Sequence, residues 1–420
     1  MSDADAHRAV LAVWRVEHPR LITSLARMLR DVPLAEELTQ DALVAALETW
    51  PTSGVPERPG AWLMATAKRR ALDRLRRGPM LERKHGMVAR ELEHEQKAAP
   101  DLDSALDDDI GDEMLRLVFT ACHPLLSREA RAALALRMVC GLTTDEIARA
   151  FLLTESAVAQ RIVRAKRTLS ESGLAYETPR GPERAARLAS VLEVVYLIFN
   201  EGYTATRGQD WQRPQLCNEA LRLGRVLTAV APDEPEVHGL LALMELNASR
   251  TAARTDAGGE PVLMLDQDRS LWDLLQIRQG LKALKRAQDL GGAGGFYALQ
   301  AAIIACHAQA PTAADTDWLR IAALYAELTR VAPSPVVQLN RAVAVGMAQG
   351  PAEGLAIVEA LADEPALKAY HLLPAVRGDL LLKLGRFEEA RAAFEAAAEL
   401  AGNGREKALL LRRAEEAARR

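Results

Sequence analysis

The amino-acid sequence predicts an all-α fold in three parts: two small helical domains followed by a long helical-repeat extension. Hydrophobic residues make up 49% of the 420-residue chain, whereas aromatic residues make up only 4%. Ala and Leu dominate the apolar set, and both enter a helix at little cost. Apolar residues recur at helical spacing, and no convincing run shows the period-2 alternation of a half-buried strand. A chain of this length needs more than one hydrophobic core.

Composition also limits the kind of protein. The net charge is -4, so the chain as a whole is not a basic nucleic-acid binder, although its charges are strongly segregated. The N-terminus lacks an apolar signal core, and the most apolar segment, Val191–Phe199, is too short to cross a bilayer. The cysteines show no CxxC spacing, which argues against a disulfide framework or a zinc site. These features predict a cytoplasmic protein without a membrane partner.

The first 77 residues show three helical patterns. These cover Ala9–Leu29, Leu34–Trp50 and Ala61–Arg77, with Pro33 suited to the first turn of the second helix. The segment Pro51–Gly60 is rich in turn residues and predicts a loop before the third helix. The first domain, residues 1–77, is therefore a small helical bundle.

The segment 78–112 predicts a flexible acidic linker. Just before it, Lys68–Arg77 carries six bases and one acid, whereas Asp101–Glu113 carries seven acids and no base. Low hydrophobicity and high charge disfavour a packed core. Such segregation concentrates positive potential on one helix while the whole chain stays near neutral.

The second domain, residues 113–172, ends in a predicted helix-turn-helix. The stretch Gly141–Leu169 reads as two short helices joined by a tight turn. Thr143 or Thr144 can cap the first helix, and Thr154 can cap the second. The second helix carries four bases with no acid among them, which is typical of a DNA-reading helix: Arg161, Arg164, Lys166 and Arg167.

The third part, residues 183–420, contains an internal repeat. Ala342–Leu361 aligns with Gly378–Ala397 at an offset of 36 residues. The second copy resembles a tetratricopeptide (TPR) hairpin, with small residues where the helices cross and Phe387 and Phe394 between them. The repeat predicts a TPR-like stack of helical pairs.

The motifs of the first two domains together resemble the extracytoplasmic-function (ECF) sigma factors of the sigma-70 family. Leu34–Leu43 (LAEELTQDAL) and Pro59–Arg77 (PGAWLMATAKRRALDRLRR) are similar to region two of these proteins, and residues 113–172 to region four. The extension resembles that of the subgroup with a TPR-like C-terminal domain. The resemblance implies a non-enzymatic initiation factor that binds core RNA polymerase through its β and β′ subunits, together with promoter DNA.

The resemblance also implies which side chains of region four contact the upstream promoter element. The helix beginning at Thr154 should enter the major groove. Family members often carry Lys where this chain has Ala159, so base preference should differ. The implied upstream-element residues are Thr154, Ser156, Ala157, Ala159, Gln160, Arg161, Arg164 and Lys166.

In region two, the loop Pro51–Gly60 occupies the place where the family captures an unstacked base of the downstream element. Extruding a base costs a few kcal/mol, which contacts to the freed strand offset. Trp62 suits base stacking, but a core tryptophan is the preferred interpretation. The implied downstream-element residues are Arg58, Trp62, Lys68, Arg69, Arg70, Arg74, Arg76 and Arg77.

The same resemblance implies a polymerase-binding surface on the helix Leu34–Trp50. In the family this surface contacts the coiled coil of the β′ subunit, and an ordinary solvated helix face is the alternative. The residues expected on the exposed side are Glu36, Glu37, Thr39, Gln40 and Asp41.

The extension contains two polar clusters that form a candidate regulatory site for an unknown protein or ligand. A structural clip, in which Arg269 pairs with Asp266, Asp268 or Asp273, is the preferred alternative. The cluster residues are Asn200, Glu201, Tyr203, Asp266, Asp268, Arg269, Trp272 and Asp273.

The sequence predicts no catalytic site, metal site or cofactor. No P-loop, GxSxG or HExxH motif occurs. The pair Cys122-His123 lies in the apolar stretch Leu117–Leu126 and is expected to be buried.

Two other functions fit parts of the pattern. A signal-responsive helix-turn-helix activator would bind duplex DNA with the repeat domain as sensor, and a repeat scaffold would carry the basic helices incidentally. Only a sigma factor would create new specific transcription starts with core polymerase.

Overall fold

The computed structural model describes residues 3–29, 31–77, 114–151, 153–172, 179, 181–204 and 212–420. These residues are mainly helical and contain no strand beyond one isolated bridge, so the all-α prediction is confirmed. The predicted linker, 78–112, lies outside the described residues. The helices of the N-terminal part are α1 (Asp3–Leu29), α2 (Val32–Ser53), α3 (Pro59–Arg77), α4 (Arg128–Met138), α5 (Thr144–Phe151), α6 (Glu155–Glu171) and α7 (Gly181–Tyr203).

The rest of the chain continues as helices. They are α8 (Pro214–Val230), α9 (Pro235–Ala248), α10 (Leu274–Asp289), α11 (Phe296–Gln309), α12 (Trp318–Val331), α13 (Pro335–Ala348), α14 (Pro351–Ala360), α15 (Leu372–Lys383), α16 (Phe387–Leu400) and α17 (Gly404–Ala418). The chain forms two compact units, Met1–Leu197 and Ile198–Arg420. The division falls within α7, so residues 183–197 belong to the first unit although the sequence predicts them as the start of the extension.

The three helices α1, α2 and α3 contact one another around a core that includes Trp14, Leu38, Trp50 and Leu63. Asp31 caps α2 by accepting from the Leu34 backbone N–H at 3.0 Å. Pro33 follows in the first helical turn, as predicted.

Helix α2 ends later than the sequence predicts. It continues through Pro51 to Ser53 instead of stopping at Trp50. The last turn is closed in part by hydroxyls, because Thr52 and Ser53 each donate to the Thr49 carbonyl at 2.9 Å. The Gly54 N–H then donates to the Trp50 carbonyl, also at 2.9 Å. Pro51 cannot donate an N–H to the carbonyl four residues before it, but these bonds hold the turn that follows it.

The helix-turn-helix of the second domain is present as predicted. The Thr143 hydroxyl accepts from the Glu146 N–H at 3.1 Å, while the Glu146 carboxylate accepts from the Thr143 N–H at 2.8 Å. This reciprocal capping box starts α5. Thr154 caps α6 by accepting from the Ala157 N–H at 3.2 Å. Gly141, with φ of 71°, makes the left-handed turn that precedes α5.

The first part of α7 completes this domain. Ser190 accepts from Arg131 of α4 and donates to the Cys122 carbonyl at 2.7 Å. Arg187 donates to the Phe119 carbonyl at 3.1 Å. The helix-turn-helix therefore rests on a core that extends into residues beyond the predicted second domain.

In the second unit, helices mainly contact their sequence neighbours, as in a solenoid. The two aligned repeat segments correspond to α13–α14 and α15–α16. Gly354 and Gly346 are tightly apposed, since a Cβ on Gly354 would lie 2.8 Å from the Gly346 Cα. Phe394 is fully buried, while Phe387 is half-buried. Small residues thus permit the close helix contacts that the repeat predicts.

The segment between α9 and α10, residues 249–273, links distant parts of the second unit. Its ends meet where the Asp273 N–H donates to the Ser249 carbonyl at 2.7 Å. Near its tip, Glu260 forms ion pairs with Arg405 and Arg412 of the last helix. This tether connects two parts of the unit that are about 150 residues apart in sequence.

Candidate promoter and polymerase interface

Helix α6 separates into a buried and an exposed face. Val158, Ile162, Ala165 and Leu169 are buried, whereas Ser156, Gln160 and Arg164 recur at four-residue intervals on the exposed side. Thr154 is also exposed, and Ala157 and Ala159 are half-buried beside the exposed row. The helix thus presents polar and cationic groups along one face, opposite its buried face.

Sequence reasoning missed one exposed residue on this helix. Val163 is 63% exposed, although an apolar residue on a helix is usually assigned to the core. It lies next to Arg164, and a branched apolar side chain there suits the methyl group of thymine. Its position outside the buried 158–162–165–169 register is the signal that could have identified it.

Two predicted DNA contacts of α6 are not on the open face. Lys166 is half-buried and forms an ion pair with Glu36 of α2, so it is not free to meet a phosphate. Arg161 is also half-buried, and its charge helps to lower the pKa of Glu129, after backbone and Ser127 hydrogen bonds. The spacing of residues along α6 cannot reveal that this side of the helix packs against the first domain.

The predicted downstream-element residues also differ in accessibility. Arg58 and Arg69 are exposed, and Lys68 is half-buried. Arg70 forms an ion pair with Asp41 of α2 at 3.4 Å, which joins the predicted DNA and polymerase surfaces. Arg74, Arg76 and Arg77 lie in α3, but their side chains fall outside the part that the structure describes.

Trp62 is half-buried at the start of α3. Its ring meets that of the buried Trp50 edge to face, with centroids 5.4 Å apart. Trp62 is therefore neither a fully buried core residue nor a ring that is fully open for a base to stack on. The loop beside it, residues 54–58, is mostly exposed.

The expectation that five polar residues of α2 lie on its exposed side is wrong for two of them. Glu36 is 1% exposed and Thr39 is fully buried. Thr39 donates its hydroxyl to the Ala35 carbonyl at 2.7 Å, which satisfies it within the helix. Glu37 is exposed, while Gln40 and Asp41 are half-buried. The second domain covers the side of α2 that carries Glu36.

Cys122 and His123 are buried, as predicted. Burial raises the pKa of the Cys122 thiol to about 12, against the opposing effect of Arg131 and Arg187. Burial, reinforced by Arg187, lowers the pKa of His123. The thiol is therefore protonated at neutral pH and is a poor nucleophile.

The structure corrects the predicted clip at Arg269. Its guanidinium donates to the carbonyls of His307 and Ala310, the latter at 2.6 Å. The aspartates expected to pair with it serve as caps instead: Asp268 accepts from the Ser270 N–H and Asp273 from the Leu275 N–H. Carbonyls at the end of α11 carry the negative end of the helix dipole, so they can accept hydrogen bonds from a cation directly.

Two arginines that sequence reasoning missed join the polar clusters of the second unit. Arg254 lies 3.5 Å from the centre of the Tyr203 ring and donates to the Tyr203 carbonyl at the end of α7. Arg250 lies 5.6 Å from the same ring and contacts Gln267 at 3.5 Å. Arg269 lies over the buried Trp272 at 4.7 Å. Because these residues are far apart in the sequence, residue spacing did not indicate that they lie close together.

The remaining cluster residues occupy separate positions. Asn200 is exposed, and Glu201 forms an ion pair with Arg213 near the start of α8. Asp266 is exposed at the end of a short 3-10 turn. The structure therefore brings together only the aromatic and arginine members of the predicted site.

The buried His307 makes the second unit sensitive to acid. Burial, with Arg250 and Arg269 nearby, lowers its pKa from 6.5 to about 4. As the pH falls, His307 is protonated in the unfolded chain before it is protonated in the folded one. The contribution of His307 to stability is therefore present above pH 6.5 and is lost as the pH falls toward 4. We expect wild type to lose about 2 kcal/mol more than His307→Gln between pH 7.5 and 5.

Amide hydrogen exchange in α11 and α12 at the two pH values measures this difference. The variant controls for the titration of all other groups. An equal loss of protection in both proteins would show that His307 does not titrate as its surroundings dictate.

Family comparisons agree with the geometry of the two N-terminal domains. Residues 14–78 match the sigma-70 region 2 model, and residues 116–169 match the sigma-70, region 4 model. Residues 187–288 match a family of unknown function, DUF6596. The third match covers the end of the first unit and the first helices of the second.

The similar proteins differ in how much of this chain they match. An uncharacterized protein of Rhizobium meliloti is 43% identical over 397 residues, which span 93% of this chain and 92% of that protein. The ECF RNA polymerase sigma factor SigK of Mycobacterium ulcerans is 32% identical over 157 residues, or 36% of this chain and 78% of SigK. The probable ECF sigma factor SigI of Mycobacterium tuberculosis is 24% identical over 185 residues, or 44% of this chain and 62% of SigI.

The two helical domains and these matches define a sigma factor of RNA polymerase. More specifically, the chain belongs to the extracytoplasmic-function sigma factors of the sigma-70 family. This family is not enzymatic. Within the described residues, no helix is long and apolar enough to cross a membrane, and no cluster of three His, Cys, Asp or Glu side chains could hold a metal ion.

Proposed function

We propose that this sigma factor directs core RNA polymerase to promoters with two separate elements. Helix α6 would enter the major groove of the upstream element, with Ser156 and Gln160 toward the base edges and Arg164 toward a phosphate. The observation that carries this proposal is the exposed row that these three residues form, opposite a fully buried face.

The downstream element would be bound and opened by the exposed loop 54–58 together with α3. Arg58 and Arg69 are accessible to phosphates, and Trp62 stands beside the loop with part of its ring uncovered. A base extruded from the duplex gains stacking and strand contacts that offset the cost of unpairing. Because the two domains are on one chain, binding of either raises the local concentration of the other at its element.

Polymerase would be held in part by the exposed side of α2. Glu37 is the most accessible of the predicted contact residues, and Asp41 lies beside it next to Arg70. An acidic helix face suits a basic partner surface, such as that expected of the β′ coiled coil. The site of action in this proposal is the cytoplasm, where core polymerase is found.

The second unit would be a fused, TPR-like regulatory domain. Its helices contact their sequence neighbours, and its size exceeds what recognition of two promoter elements needs. The cluster of Arg250, Arg254 and Arg269 would brace this domain, because it ties helix ends together through carbonyls and aromatic rings. A protein or ligand that altered this brace would change the activity of the attached sigma domains.

Truncation tests the regulatory role. A chain that ends after Thr204 keeps α7 whole, whereas a cut at residue 183 would remove part of the core of the first unit. Promoter-directed transcription by the truncated chain should differ from that of the full chain when each chain is added in an amount that saturates core polymerase. Equal activity and equal regulation of the two chains would contradict a regulatory role.

A further inference from the structure

Four side chains of the second unit carry buried hydrogen-bonding atoms that have no partner among the described residues. These atoms are Tyr203 Oη, Arg250 Nε, Trp272 Nε1 and His307 Nδ1. Arg250 is only 8% exposed, and Trp272 and His307 are each 5% exposed. Buried polar groups nearly always have a partner, because leaving one unsatisfied costs free energy. Four such groups in one unit therefore call for a common explanation.

The four groups belong to one cluster. Arg250 lies 5.6 Å from the centre of the Tyr203 ring. Burial lowers the pKa of His307 and of Arg269, and the nearby charge of Arg250 lowers both further. Arg269 in turn lies over the Trp272 ring at 4.7 Å. Together with Arg254, which also lies over the Tyr203 ring, these residues form what we call the cationic cluster: Tyr203, Arg250, Arg254, Arg269, Trp272 and His307.

The positive charge of this cluster is poorly balanced by the protein. Arg250 contacts only neutral oxygens, those of Gln267 at 3.5 Å and Asn247 at 3.4 Å. Within the described parts of the chain, neither Arg250 nor Arg269 forms an ion pair with a carboxylate, and Asp315 only partly offsets the effect of burial on the pKa of Arg269. Buried charges without a counter-ion are unfavourable, so the cluster favours an anion.

The chemistry of the unpaired atoms limits the kind of anion. A guanidinium and an indole N–H can only donate, while a phenol and a neutral imidazole are each able to donate. A phosphate group offers three acceptor oxygens and up to two negative charges, and it suits the fork of an arginine. The cluster reaches the surface at Tyr203 and Arg269, which are half-buried, whereas Arg250 is buried. This depth favours a small ligand over a nucleic acid.

We propose that the cationic cluster is a binding site for a small ligand that carries a phosphate group. Arg250 would bind the phosphate through Nε, and Tyr203 would donate from Oη. The bound anion would relieve repulsion among the three guanidiniums. It would also strengthen the connection between helix ends, because Arg254 donates to the Tyr203 carbonyl and Arg269 to the Ala310 carbonyl. The regulatory consequence of binding rests on the function proposed above, whereas binding itself is a property of the free chain.

Calorimetric titration of the full chain with inorganic phosphate tests the site. Chloride at the same ionic strength controls for general salt effects. Wild type should bind one phosphate, and binding should slow amide exchange in residues 249–273. Arg250→Gln should lower the affinity for phosphate by at least about tenfold, since it removes a charge-assisted contact. Arg278→Gln, the same charge change at an exposed position of α10, should resemble wild type.

Tyr203→Phe separates ligand binding from a structural role. It keeps the ring that lies under Arg254 and removes only the unpaired Oη. The affinity for phosphate should fall about three- to tenfold, the effect of one hydrogen bond. Without phosphate, exchange in residues 249–273 should not become faster, because the hydroxyl has no partner to lose. Tyr370→Phe, at a half-buried tyrosine beside the core around Phe394, should match wild type in both respects.

Three results would overturn the site. The first is a response to phosphate no greater than the response to chloride. The second is equal phosphate affinity in wild type and Tyr203→Phe, which decides the matter even if Arg250→Gln does not fold. The third is protection of residues 249–273 by a short DNA duplex that depends on Arg250, which would contradict a small ligand. Because no measurement uses polymerase, failure of the regulatory role would appear separately, as phosphate binding that leaves transcription unchanged.

Discussion

Replacing Arg164 by glutamate should weaken binding to a duplex containing the upstream element by at least about tenfold, since a charge-assisted contact is worth about 1.5–3 kcal/mol. Arg164 is exposed on α6 at the end of the row that begins at Ser156. Its guanidinium can approach a phosphate, and a carboxylate in its place would be repelled by the same phosphate. The logarithmic salt dependence of binding should also become shallower by about 1.

Arg278→Glu is the matched control for this prediction. It makes the same charge change on an exposed helical position of the second unit, so it reproduces the effect on net charge alone. Fluorescence anisotropy at several salt concentrations measures both affinity and slope. Equal affinities for the two variants would mean that α6 does not face the DNA backbone through Arg164.

Replacing Phe394 by alanine should destabilise the second unit by about 3–5 kcal/mol, the range for large core side chains reduced to a methyl group. Phe394 is fully buried between repeat helices, and Arg413 lies over its ring at 4.7 Å. Gly378 packs directly against this ring. The substitution therefore removes both apolar contacts and the partner of a cation.

Substitutions at Phe387 and Gly378 make this prediction specific to the packing around Phe394. Phe387→Ala, the same change at a half-buried site on α16, should cost clearly less. Gly378→Ala would place a Cβ 2.9 Å from the Phe394 ring, which costs about 1–3 kcal/mol by overpacking. That cost should shrink when Phe394 is also replaced by leucine. Hydrogen exchange in α15–α17 measures these variants together with the Phe394→Leu single variant, and additive effects of Gly378→Ala and Phe394→Leu would contradict the packing described.

Much of the fold follows from local signals in the sequence. The capping box at Thr143, the cap at Thr154 and Pro33 at the start of α2 are short-range features, and each marks a helix start where the structure has one. The end of α2 was misplaced because Pro51 opens a segment rich in turn residues, whereas the hydroxyls of Thr52 and Ser53 help to hold one further turn. Hydrogen bonds of this kind depend on rotamers that residue type does not determine.

The site residues show where sequence reasoning stops. Family motifs pointed to α2, α3 and α6, but not to the faces of those helices that the other domain covers. Glu36 and Lys166 are 130 residues apart, and each reads separately as an exposed polar residue on an amphipathic helix. The same holds for Arg269, whose partners are backbone carbonyls at the end of another helix. Long-range pairs of this kind are set by tertiary packing.

Transcription reconstituted from purified core RNA polymerase, the full chain and a library of promoter fragments is the decisive test of the sigma-factor function. New, discrete start sites should appear only when polymerase and this chain are both present. Arg164→Glu should reduce these transcripts, while Arg278→Glu should leave them unchanged. Stable binding of the chain to DNA with no association with polymerase and no new starts would contradict the account, however well the helix-turn-helix binds.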